Sequence, residues 1–113
     1  ILGGGIFVFL KNKNNQPSDQ EKSKIILFYG EGCPHCENVD KFIEENKVEE
    51  KISFERKEVF YNKENSKELS EKAEKCGLSA ASVGIPFLWD GSRCIIGDTD
   101  IINFFKQKIS EAQ

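Results

Sequence analysis

Cys33-Pro34-His35-Cys36 holds the residues best able to do chemistry, two thiols three positions apart with a proline and the chain's only histidine between them. A pair at this spacing can grip a soft metal, lock into an inert crosslink, or cycle between dithiol and disulfide. Its place in the chain favours the last. Ile25–Tyr29 (I-I-L-F-Y) is a continuous apolar run ending at Gly30, and an amphipathic pattern begins just after the pair. Cys33 therefore falls at a strand-to-helix junction, where unpaired N–H groups and the positive end of the helix dipole favour an anion. Thiols at such sites drop from a pKa of about 8.5 to roughly 3.5–7.5. Cys33 is then the attacking nucleophile, and Cys36, one helical turn on, can reach back to resolve a mixed disulfide. Pro34 suits the first turn, where its missing N–H costs nothing. His35, when protonated, adds positive charge beside the thiolate and makes the couple more oxidising. The alternative for His35 is an exposed, neutral side chain of little influence.

A metal centre fits the pattern less well. Zinc sites carry a second closely spaced ligand pair, whereas Cys76 and Cys94 stand far apart and His35 lies inside the pair rather than beyond it. A module holding copper(I) or zinc on Cys33 and Cys36 is the rival from another class, since soft thiolates favour such metals. An inert Cys33–Cys36 crosslink fits worse still, because so short a loop restrains the unfolded chain little. Exchange needs no cofactor beyond the cysteines themselves. Cys76 and Cys94, if bridged, would close a loop of about 19 residues, worth roughly 3 kcal/mol. Two buried free thiols acting as small apolar residues are the other option.

The elements that must position these residues are legible from periodicity. Ile25–Tyr29 predicts a strand buried on both faces. Val39, Phe42 and Ile43 recur at helical spacing and predict a helix from Cys36 to Glu50. Ile52–Phe60 opens with alternation and predicts a second strand. Asn62 caps a third segment, a helix running to Cys76 with Leu69, Ala73 and Cys76 on one stripe and Gly77 as its stop. Pro86–Trp89 and Arg93–Ile96 flank Asp90-Gly91-Ser92, a strong hairpin signal. Asp98 or Thr99 then caps a last helix carrying Ile101, Ile102, Phe105 and Ile109. The order βαβ then ββα demands a parallel pair with a right-handed crossover, followed by an antiparallel hairpin. The expected fold is α/β, one central mixed four-stranded sheet with helices on both faces.

At 113 residues the chain has the length of one domain. Charged residues of mixed sign make up 31%, with a net charge of -3, which gives no electrostatic reason to expect nucleic acid as a partner. Four cysteines are too few for a disulfide-scaffold miniprotein. The first ten residues, I-L-G-G-G-I-F-V-F-L, are apolar and uncharged. Ten residues fall short of the about 20 that a bilayer core requires. They are expected to be the trailing end of a signal peptide or of an N-terminal membrane anchor, with an apolar first strand as the alternative. Residues 11–24 are polar without apolar period and predict a solvated linker. The folded domain then spans 25–113.

From Ile25 to about Ile109 the chain resembles the thioredoxin superfamily, and within it the small glutaredoxin-like domains. The strand–C-P-H-C–helix unit carries the resemblance, together with Gly84-Ile85-Pro86 before the hairpin, where the family holds its cis-proline, and Ile96–Ile101 (I-G-D-T-D-I), similar to the turn that opens the final glutaredoxin helix. The resemblance implies a thioredoxin-like fold, Cys33 and Cys36 as attacking and resolving thiols, and Gly84, Ile85, Pro86 and Asp98 as the substrate-binding surface. It implies a monomer exchanging disulfides with protein thiols or glutathione. An ordinary trans proline opening an edge strand is the alternative for Pro86. C-P-H-C is also the pair of bacterial periplasmic disulfide oxidases, whose large helical insertion this chain has no room for. Glu31-Gly32 stand where glutaredoxins carry a lysine. The function expected is thiol–disulfide exchange at the extracytoplasmic face of a membrane, anchored or secreted. A glutathione- or thioredoxin-linked reductase is the alternative, as is a cytoplasmic location.

Overall fold

The computed structural model of the chain describes residues 24–112. The apolar segment 1–10 and residues 11–23 of the linker lie outside the described residues. Strand β1 (Ile26–Tyr29) is followed by helix α1 (Pro34–Glu45), a single turn α2 (Val48–Lys51), strand β2 (Glu55–Glu58) and helix α3 (Lys63–Lys75). The hairpin β3 (Phe87–Trp89) and β4 (Cys94–Ile96) then leads into helix α4 (Asp98–Ala112). The four strands form one mixed sheet in the order β2-β1-β3-β4. β1 runs parallel to β2, with Tyr29 opposite Glu58, and antiparallel to β3, with Phe28 opposite Phe87. This α/β arrangement is compatible with the thioredoxin-like fold.

β1 is central, and alternation sends its side chains to two cores. Ile25 and Leu27 join Val39, Ile43, Val48, Leu88, Ile101 and Phe105 on the face covered by α1, α2 and α4. Ile26 and Phe28 join Leu69, Ala73, Phe87 and Trp89 on the face covered by α3. Phe28 and Phe87 meet edge to face, ring centroids 5.9 Å apart, an arrangement aromatic quadrupoles favour.

Several boundaries differ from the periodicity. α1 begins at Pro34, two residues earlier than expected, because Cys33 itself is the N-cap. The helix expected to reach Glu50 stops at Glu45: the Asn46 side-chain amide donates to the Phe42 carbonyl at 3.0 Å, and Lys47 turns left-handed at φ 49. That turn redirects the chain so that Val48 is fully buried, a gain that outweighs the modest cost of a left-handed lysine. The second strand is only the four residues of E-R-K-E, since Ile52 closes α2 and the chain leaves the sheet after Glu58. β2 is an edge strand and its side chains are tied down. Glu55 pairs with Lys24 at 2.8 Å, Arg56 with Asp40, and Lys57 with Glu68 at 2.5 Å.

α3 starts where expected, with Asn62 accepting the Asn65 N–H at 2.9 Å. At its other end Cys76 is disulfide-bonded to Cys94 of β4, Cα atoms 6.3 Å apart. The hairpin turn is held by the Asp90 side chain, which accepts the N–H groups of Ser92 and Arg93 at 2.8 and 2.6 Å. α4 begins at Asp98 rather than being capped by it. Ile101 donates to the Gly97 carbonyl at 3.1 Å, which places Gly97 in the cap position.

Candidate redox-active site

The end of β1 delivers the chain to the cysteine pair through a tight turn. The Cys33 N–H bonds to the Gly30 carbonyl at 3.2 Å, and Gly32 between them sits at φ +87, a conformation other residues adopt only with strain. Gly30 is needed for a different reason. A side chain there would meet ring carbons of Phe60 at 2.5 Å and Ile85 Cδ1 at 2.7 Å. The Phe60 ring and Ile85 therefore close directly onto the backbone three residues ahead of Cys33.

Cys33 has extended dihedrals (φ -91, ψ 113), as an N-cap should, and its Sγ accepts the Cys36 N–H at 3.2 Å. A helix N-terminus thus points a donor at this sulfur, the arrangement that stabilises a thiolate. Cys33 and Cys36 are disulfide-bonded, Cα atoms 5.2 Å apart. Cys33 is 8% exposed and Cys36 2%. The incoming sulfur thus reaches Cys33 more readily. Pro34 stands in the first turn of α1, and His35 is exposed.

Asp98 lies at the start of α4 and reaches across to α1. Its Oδ2 accepts from His35 Nδ1 at 2.9 Å and from Asn38 Nδ2 at 2.7 Å, and its Oδ1 accepts the Thr99 N–H at 2.8 Å. The hydrogen bond from Asn38, then that from His35, hold the Asp98 carboxyl well below its ordinary value, at about 2. The folded value lies below the unfolded one of about 3.9, so this tie stabilises the fold fully above the unfolded value. It is lost as pH falls toward the folded value. Urea midpoints of wild type and Asp98→Asn are expected to converge between about pH 4 and pH 2. A constant gap across that window would show that the carboxylate is not what holds α4 to α1.

On the other side of the pair, the Glu58 carboxylate accepts the N–H groups of Glu31, Phe60 and Tyr61 at 3.1, 3.0 and 2.9 Å. Burial pushes Glu58 upward, but the backbone donors of Tyr61, Glu31 and Phe60 outweigh it and lower the carboxyl overall. One side chain thus couples the turn before Cys33 to the loop that presents Phe60 and Tyr61, which are 55% and 79% exposed.

The Ile85–Pro86 peptide is cis. Pro86 is buried, and its carbonyl accepts the Gly97 N–H at 3.0 Å, linking the segment before β3 to the start of α4. Gly84 is exposed, with no atom within 4 Å of where a side chain would stand. The structure therefore brings His35 to Asp98, Ile85 to Gly30, and Pro86 to Gly97. The Cys76–Cys94 bridge closes the loop that carries Gly84–Pro86. Asn38, Glu58, Phe60 and Tyr61 also belong to this surface, and the motifs do not single them out. Phe60-Tyr61 directly after a charged strand is the one signal that could have marked them, two bulky aromatics with no apolar period to bury them.

Among the described residues, no group of three or more His, Cys, Asp and Glu side chains is placed to hold a metal ion, and no helix is long and apolar enough to cross a membrane. No protein-family model matches the chain, and a search of curated proteins finds no match. The chemistry is therefore read from the geometry, which is a cysteine pair at disulfide distance on a helix N-terminus, suited to redox-type reactions.

Proposed function

We propose that the chain is a thiol–disulfide oxidoreductase of the thioredoxin superfamily, working through the Cys33–Cys36 couple. The observation that carries the reading is the Cys33 Sγ at the N-cap of α1, accepting the Cys36 N–H and bridged to the Cys36 sulfur. A substrate thiolate attacks Cys33, Cys36 leaves, and a second substrate thiolate displaces Cys33. Two electrons and two protons leave the substrate dithiol, which becomes a disulfide, and the protein ends as the dithiol. The reverse sequence makes it a reductase.

Polypeptide thiols are the preferred partners, with glutathione as the small-thiol alternative. Exposed Phe60 and Tyr61 beside the pair favour a polypeptide, since adjacent solvated aromatics are an unusual expense on a surface with no use for them. Gly84, Ile85 and Pro86 supply the neighbouring substrate-facing segment, and the protein acts as a monomer. Two disulfides within 89 described residues (24–112) support an oxidising compartment. The apolar residues 1–10 would tether or export the chain to the extracytoplasmic side.

Oxidised protein mixed with a reduced, unfolded cysteine-containing protein is expected to transfer its disulfide one for one, counted as thiols lost by the substrate and gained at Cys33 and Cys36. No transfer in either direction would overturn the reading. The measured potential sets the direction: about -120 mV marks an oxidant and about -230 mV or below a reductase.

A further inference from the structure

We propose that Asp98 is a positioning residue that holds His35 as the Nδ1–H tautomer, so that Nε2 takes the proton from a thiol attacking the Cys33–Cys36 disulfide. This rests on the pair being a redox couple and specifies how that couple is served. His35 Nδ1 lies 2.9 Å from Asp98 Oδ2. An ionised carboxylate can only accept, so the proton of that bond sits on Nδ1 and the neutral ring carries its lone pair on Nε2. Asp98 is itself anchored by Asn38 from α1 and by the Thr99 N–H.

The His35 side chain is 71% exposed, against 21% for Asp98. Packing therefore does not choose the ring's orientation, and the carboxylate does. Within the two segments that carry them, the charged residues are all acidic. Residues 30–40 contribute Glu31, Glu37 and Asp40, residues 97–101 contribute Asp98 and Asp100, and neither segment has a lysine or arginine. Glu58, bonded to the Glu31 N–H, adds a carboxylate on the other side of the pair, and Arg56 of β2 pairs with Asp40. His35 is thus the one basic side chain in these two segments. A base oriented by a third group beside a sulfur electrophile is the arrangement by which enzymes take protons from nucleophiles in place.

In the step, the incoming thiol gives its proton to Nε2 and its sulfur attacks Cys33 Sγ. The Cys33–Cys36 bond breaks as the mixed disulfide forms, and Cys36 leaves as a thiolate beside the newly charged imidazolium. The proton then passes to Cys36 or to water, so atoms and electrons balance without another reagent.

His35 is the only histidine, so its ring nitrogens can be read directly by 15N NMR. Wild type is expected to show the Nδ1–H tautomer, and Asp98→Ala to shift toward Nε2–H. The rate at which dithiothreitol opens the Cys33–Cys36 bridge, followed by alkylation and mass analysis, is expected to fall about tenfold in Asp98→Ala near pH 7. It should match wild type near pH 9.5, where thiols with a pKa of about 8.5 ionise unaided. Asp98→Asn, which keeps an accepting oxygen, should recover part of the rate, and Asp98→Ala should add nothing in a His35→Ala background. An Nε2–H ring in wild type, a deficit that persists at high pH, or an equal deficit without His35 would each overturn the proposal. The tautomer is read without turnover, so its failure is distinct from failure of the redox reading, which would show as a bridge no thiol opens.

Discussion

Cys33→Ser is expected to abolish disulfide exchange while leaving the fold intact. The loss should be on the order of a thousandfold or more, the scale seen when a covalent nucleophile is removed. The structural side of the substitution is mild. Cys33 caps α1 through its Sγ, and a serine hydroxyl is among the preferred caps, so thermal unfolding should change little. What disappears is the sulfur that forms the mixed disulfide. Cys36→Ser should behave differently. The Cys33 thiolate still attacks a substrate disulfide and releases one substrate thiol, but nothing within one helical turn resolves the mixed disulfide, so substrates accumulate covalently bound and are visible by mass and on non-reducing gels. Turnover retained by Cys33→Ser would sink the mechanism. Trapping through Cys36 in place of Cys33 would reverse the two roles.

The second large effect concerns stability. Replacing both Cys76 and Cys94 by alanine is expected to cost roughly 3 kcal/mol, from the entropy regained by the unfolded chain when a loop of this size is opened. For a domain of this length that corresponds to about 12–24 °C in melting temperature. Because the crosslink acts mainly on the unfolded state, the denaturant m-value should rise as well. Changing both residues together avoids a lone thiol that could attack the Cys33–Cys36 bridge. Urea unfolding, with Cys33 and Cys36 held oxidised in both proteins, measures the difference. A loss below about 1 kcal/mol would mean that the bridge contributes little beyond its neighbours' packing.

How much of this was legible in the residues depends on range. β1 is plain from I-I-L-F-Y, and the hairpin from an Asp-Gly between two apolar runs, because both signals are local. The helix after Cys33 is plain too, though not its end, since Asn46 and Lys47 break it for the sake of burying Val48 in a core that the sequence does not display. The cysteine pair announces itself by spacing. Its surroundings do not. His35 and Asp98 are 63 positions apart, and Glu31 and Glu58 are 27 apart. Only the parallel β1–β2 pairing and the packing of α4 against α1 bring them together. The resemblance places Asp98 on the substrate-binding surface, and no local signal shows that its carboxylate also engages His35 and Asn38 of α1.

The charged edge at β2 has a consequence for the proposed exchange with polypeptide thiols. An open sheet edge is a template for any extended polypeptide. Glu55, Arg56, Lys57 and Glu58 occupy every position of that edge. Their salt bridges and backbone contacts hold charge where an incoming strand would have to shed water. The opposite edge, β4, is three residues long and covalently fastened to α3 through Cys94. The sheet is thereby protected against strand addition on both sides. In the proposed reaction a misfolded polypeptide would meet the domain through its cysteine surface and find little purchase for co-aggregation.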